Sequence, residues 1–151
     1  AEAARPRLAS RLLATLPAEA QAVAGLYAAL LDTAGTVPGR AEAEIVTAGA
    51  QGSGAIRSLG RAVWLDRLGR VREAVGLGHV WLGEDEGGEA VMVGRLELVE
   101  AVLMGAGAES VLRAVGLAKS RKRLARVRDG VLDGLTRAER VLREIAEDEG
   151  R

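Results

Sequence analysis

The sequence predicts a mixed α+β domain, a small antiparallel sheet with flanking helices and a long C-terminal helix. Three observations carry that reading. In HVWLGEDEGGEAVMVGR, Val80 and Leu82 precede an acidic, glycine-rich turn and Val91 and Val93 follow it, which is the pattern of a β-hairpin. Leu124, Val127, Val131, Gly134, Ala138, Val141 and Ile145 step by three and four, the spacing of one helix face, and Leu132, Leu135 and Leu142 broaden the stripe. Near the start, RLASRLLATL sets Leu8, Leu12, Leu13 and Leu16 at helical spacing. The same observations also allow a mostly α-helical fold with one β-hairpin.

The elements follow in order. Residues 7–16 read as a short amphipathic helix. Residues 17–33 stay open: Pro17 suits a first helical turn and the alanines favour helix, whereas GLYAALLD also suits a buried strand. Asp32 to Gly39 supplies turn residues. Gly49, Gly52 and Gly54 form a glycine-rich loop before a helix that runs through Leu68, with Gly69 as its stop. Val71, Val75 and Leu77 then read as a strand, and the hairpin follows. Helical spacing returns at Leu96, Val99, Val102 and Leu103, breaks at Gly105 to Gly107, and resumes from about Ala108. Gly130 and Gly134 each cost a helix interior about 1 kcal/mol relative to Ala, which predicts a bend near Asp129. The expected organisation is a globular domain over 1–128 and a C-terminal helical extension over 129–151.

A chain of 151 residues has the length of one domain and can bury about two-thirds of its unfolded surface. With 48% apolar and 28% charged residues it has globular composition, and with no Phe its core has to be aliphatic. The absence of Cys excludes disulfides, thiolate metal sites and a thiol nucleophile. No apolar run approaches the roughly 18 residues of a membrane span, and no signal-peptide pattern opens the chain. The expectation is a cytoplasmic protein, or one housed within an assembled particle, that does not engage a membrane.

The charges cancel, 21 basic against 21 acidic, but they alternate in blocks. Residues 79–110 carry one positive and seven negative charges, and residues 111–128 carry seven positive and none negative. Within AKSRKRLARVRDGVLDGLTRAERVLREIAEDEG, Lys119, Arg121, Lys122, Arg123, Arg126 and Arg128 lead, and Glu144, Glu147 and Glu149 come at the end. A helix macrodipole favours the reverse order. Two arrangements would explain it: antiparallel pairing of this helix with that of a second copy, or contact between the basic segment and the acidic 79–110 block of the same chain. Leu124, Val127, Val131, Leu135 and Leu142 are the expected interface residues, at an oligomer contact or against the body of the fold.

Catalytic and ligand motifs are weak. The glycine loop lacks the G-x-G-x-x-G spacing and the Lys-Ser/Thr of a phosphate cradle. His79 is the only histidine, and Glu84, Asp85, Glu86 and Glu89 lack the register of a calcium loop. No catalytic, cofactor or metal residues are expected, and the protein is read as non-enzymatic. The acidic hairpin tip argues against a DNA-contacting wing, which leaves nucleic-acid binding to the basic helix alone.

GLYAALLDTAGTVPGR, AIRSLGRAVWLDRL, RVREAVGL, HVWLGED, GEAVMVG and the closing LRAVGLAKSRKRL together resemble, over about residues 7 to 128, the element order of the roadblock/LC7 family. The resemblance implies five strands and a homodimer joined by a continuous sheet. It also implies a platform without catalysis of its own for a partner such as a small GTPase. The expected function is therefore a homo-oligomeric protein–protein interaction module. The alternatives are a structural assembly subunit of a viral particle or multi-protein complex, which needs only one hairpin, and a nucleic-acid-binding protein using the basic helix.

Overall fold

The computed structural model describes residues 10–33 and 52–149. Of the turn expected from Asp32 to Gly39, Asp32 and Thr33 belong to a helix instead, and 34–39 lie outside the described residues, as do Gly49 of the glycine loop and residues 7–9 of the first helix. Helix α1 (Arg11–Ala14) begins at Ser10, whose hydroxyl accepts the Leu12 N–H and donates to the Ala106 carbonyl. Leu12, Leu13 and Leu16 turn inward. Gln21 closes the far end by donating to the Ala14 and Leu16 carbonyls, which would otherwise be unpaired helix-end acceptors.

Helix α2 (Ala18–Thr33) settles the open choice over 17–33. Ala20, Val23, Ala24, Tyr27, Leu30 and Leu31 are its buried positions, at the helical period that one apolar run could not establish. Helix α3 (Gly52–Val75) corrects the reading of Gly69 as a stop and of Val71 to Leu77 as a strand. Leu68, Val71 and Val75 lie on one helix face in the core, and Gly69 faces open space, so it costs the helix only its propensity. The helix ends instead at Gly76, whose φ of +82° suits glycine.

Strands β1 (His79–Glu84) and β2 (Ala90–Gly94) form the expected hairpin, an antiparallel two-stranded sheet. Asp85 organises its turn: its carbonyl accepts the Gly88 N–H and its carboxylate the Glu89 N–H. Trp81 lies opposite Met92, and a bulge at Leu82 shifts the register so that Gly83 faces Val91.

Helices α4 (Arg95–Leu103) and α5 (Ala108–Ala114) follow. Each ends in a Schellman motif around a left-handed glycine, Gly105 at φ +116° and Gly116 at +78°. In the first, Gly105 N–H bonds Val102 O and Ala106 N–H bonds Ala101 O; in the second, Gly116 bonds Arg113 O and Leu117 bonds Leu112 O. The helix expected to run on from Ala108 is therefore broken before α6 (Arg121–Glu149), which Ser120 caps through its hydroxyl to the Arg123 N–H.

Helix α6 spans 29 residues, about 44 Å at the helical rise, without a break at Asp129. It packs against α2, α3, α4, α5 and β1. The boundary expected after residue 128 falls inside this helix. Val131, Leu135, Ala138, Leu142 and Ile145 belong to the same core cluster as Leu13, Tyr27 and Val71.

Gly130 and Gly134 are contact points. A Cβ at Gly130 would lie 2.8 Å from Val80 Cγ1 and 3.0 Å from Leu98 Cδ2, and one at Gly134 would overlap Val99 Cγ2. Valine is stiff at χ1, so neither neighbour swings away easily. Gly134→Ala is expected to lose about 1–2 kcal/mol, because overpacking outweighs the helical gain. Gly69→Ala, with nothing to strike, should gain about 0.5–1 kcal/mol. Urea denaturation of the two variants measures both.

Candidate functional site

An ionisable cluster joins three helices within the fold. The fully buried Tyr27 on α2 donates from its hydroxyl to Glu100 Oε2 at 2.7 Å. Arg72 on α3 donates to both carboxylate oxygens of Glu100 on α4, at 2.8 and 2.7 Å. Burial, and then the hydrogen bond to Glu100, push the Tyr27 phenol well above its ordinary range. The Arg72 guanidinium is raised mainly by the same carboxylate. Three helices are pinned to each other at one point, and Glu100 is already engaged by both neighbours, so the cluster acts as a structural lock.

The basic segment is divided among several sides of α6. Arg123 donates to the carbonyls of Ala118 and Glu84, and Arg126 to the carbonyl of Leu82. The Arg126 guanidinium also lies 4.2 Å over the Trp81 ring. Lys119 pairs with Glu109 at 2.7 Å and holds that exposed carboxyl below its ordinary range. Arg128 donates to the Thr15 carbonyl and faces Asp129 at 3.9 Å. Arg121 and Lys122 are exposed. Arg123, Arg126 and Lys119 thus contact the 79–110 block of the same chain, the two arginines at backbone oxygens, while Arg128 turns to Thr15 and Asp129.

At the acidic end, Glu144 pairs with Arg70 and Arg140, both at 3.4 Å, and Glu147 is exposed. The side chain of Glu149 lies outside the described residues. The expected interface residues Val127, Val131, Leu135 and Leu142 are covered by this chain's own helices, and Leu124 is half-buried against the same core. A second copy cannot use a stripe that the monomer has already consumed.

The outer face of the hairpin is one of the uncovered apolar surfaces, along with exposed Leu77, Met104, Leu26, Val63 and Leu65. Val80 and Leu82 point inward, so alternation sends Trp81 outward, and it and Met92 remain 43% and 54% exposed. Sequence alternation carried this signal; the stacked Arg126 and the cross-strand Met92 needed the register. His79 is exposed at the start of β1, and among the described residues no group of histidines and carboxylates is placed to hold a metal ion. No helix among them is long and apolar enough to cross a membrane.

The class defined by these features is a small helical domain with one β-hairpin docked on a long C-terminal helix. No family model, curated relative or solved structure matches the chain.

Tyr27 is the chain's only tyrosine, so its ionisation is a single-site signal. A phenol raised in the folded state stabilises the fold fully below its unfolded value, about pH 10, and that stability is lost as pH rises above it. Tyrosinate absorbance should stay absent near pH 10 and emerge only together with unfolding followed by circular dichroism. Tyr27→Phe should cost about 1.5–3 kcal/mol in urea, the worth of one hydrogen bond to a charged acceptor.

Proposed function

We propose that this chain is a non-enzymatic protein–protein interaction module that assembles with a second copy of itself through the β2 edge of its hairpin. The observation that carries the reading is the contrast between the two edges. Arg123 and Arg126 occupy the outer carbonyls of β1 at Glu84 and Leu82. Strand β2, Ala-Val-Met-Val-Gly, has no charge and no proline, and among the described residues no hydrogen bond covers its outer edge.

The ladder fixes which groups face outward. Arg95 N–H bonds Gly78 O at one end and Asp85 N–H bonds Glu89 O at the other, so bonded pairs alternate from each end toward the bulge. Trp81 and Met92 fall at a non-hydrogen-bonded pair, and the backbone N–H and C=O of Ala90, Met92 and Gly94 point away from β1. Antiparallel pairing of β2 with its copy about Met92 would satisfy all three residues and make a four-stranded sheet, with self-complementarity that a two-fold axis requires.

The resemblance to the roadblock/LC7 family leads to a homodimer with a continuous sheet, and from there to a platform for a partner such as a small GTPase. The strands it implies over GLYAALLD and RVREAVGL are helical, in α2 and α3. An assembly subunit needs one hairpin only, which is the sheet the described residues contain. Nucleic-acid binding loses support because Lys119, Arg123 and Arg126 are already engaged within the fold.

Light scattering tests the proposal. The chain should be a dimer whose mass does not fall as salt is raised, because the contact is made by backbone groups and uncharged side chains. Met92→Pro removes an N–H that β1 does not use, and it should leave a folded monomer. A monomeric parent chain, or a dimer unaffected by the proline, would overturn the reading.

A further inference from the structure

Between α1, α5 and α6 lies an open groove of about 640 Å³, within the size range of ligand sites. Its apolar surface includes Leu12 on α1 and Leu124 and Ala125 on α6. Three arginines surround it, Arg11, Arg113 and Arg128, one from each of the three helices. Arg128 is held in place by its bond to the Thr15 carbonyl. Arg11 and Arg113 are exposed and have no ion-pair partner among the described residues. The one carboxylate of the groove, Glu109, is paired with Lys119 and also lies in the field of Arg113. Arg121, about two turns before Arg128, extends the same positive side of α6.

We infer that this groove is a docking site for an acidic peptide segment of a partner protein, with an apolar side chain seated on Leu124 and Ala125 and carboxylates met by Arg11, Arg113 and Arg128. Charge complementarity selects the occupant. Guanidinium groups bind carboxylates in a fork geometry, and a leucine-lined surface rewards an apolar anchor. A nucleic acid fits less well, because the groove lining contains no aromatic side chain on which a base would stack. Helical rotation sends Arg123 and Arg126 to β1 and Arg128 to the groove. The site is separate from the β2 edge and does not depend on dimerisation.

The test is fluorescence anisotropy of the full chain with a fluorescein-labelled peptide of glutamates carrying leucine at every third and fourth position. The peptide should bind at low salt, weaken as salt rises, and fail when serine replaces its leucines. The double variant Arg11→Glu, Arg113→Glu should weaken binding by at least about tenfold. Both side chains are exposed and neither is in an ion pair among the described residues, and an unchanged melting temperature checks the fold. No binding by the parent chain at millimolar concentration, or equal binding by the double variant, would overturn the inference. So would tighter binding of a single-stranded oligonucleotide or of phosphatidylserine vesicles that the same variant abolishes, since that would assign the groove to another polyanion.

Discussion

The fold depends on how closely two elements approach the last helix. Gly130 and Gly134 remove the side chains that would hold β1 and α4 away, and Val80, Leu98 and Val99 fill the space. With that approach made, one face of α6 covers the hairpin and α4, while the adjoining stripe of Val127, Val131, Leu135, Ala138, Leu142 and Ile145 is covered by the rest of the core. The two glycines cost helix propensity, about 1 kcal/mol each, and the contact has to return more than that. A core without phenylalanine gives the physical reason: small branched side chains lose their dispersion contacts over gaps of less than an ångström, so close backbone approach replaces the bulk that aromatic rings would supply.

The reversed charge order of α6 has a local explanation. Cations in a first turn oppose the macrodipole by about 0.3–1 kcal/mol each when exposed. Here Ser120 supplies a hydroxyl to the first turn, and Arg123 and Arg126 reach away from it to carbonyls on the loop and on β1. These arginines therefore serve as donors for backbone oxygens that an edge strand would otherwise leave to water. Arg126 gains further by lying over Trp81, a contact worth about 0.5–2 kcal/mol depending on its exposure. Charge, in this arrangement, fastens the hairpin to the helix.

The hairpin and the α6 stripe were legible because their periods, two and three-to-four, are unambiguous over the lengths involved. Helix α2 was not, since alanine at positions 20 and 24 gives little hydropathy contrast against the exposed Ala22 and Ala29. Val71 and Val75 share a spacing that fits both a helix face and one side of a strand, and only the continuity of α3 decides. Glycine was the least readable residue. Gly69 faces solvent within a helix, Gly105 and Gly116 end helices at positive φ, and Gly130 and Gly134 admit neighbours. Those three roles differ only in what lies next to the residue in space. The cover of the α6 stripe was left open for a related reason: periodicity says that a stripe must be covered and is silent on whether the cover is another chain or the chain's own helices.

That distinction constrains how copies can associate. Pairing along α6 would need its apolar stripe for affinity, since exposed ion pairs contribute at most about 1 kcal/mol each and salt screens them. The stripe is buried, and Glu144 is divided between Arg70 and Arg140 of its own chain. What α6 still presents to solvent is polar and of mixed sign, from Asp129 and Asp133 to Arg140 and Arg143. The unspent binding capacity lies elsewhere: in backbone groups along β2, in the Trp81–Met92 pair beside them, and in the arginines around the α1–α5–α6 groove. The first is neutral and self-complementary, which suits a second copy. The last sets three arginines against one carboxylate already paired with Lys119, which is why the proposed occupant is a different, acidic molecule.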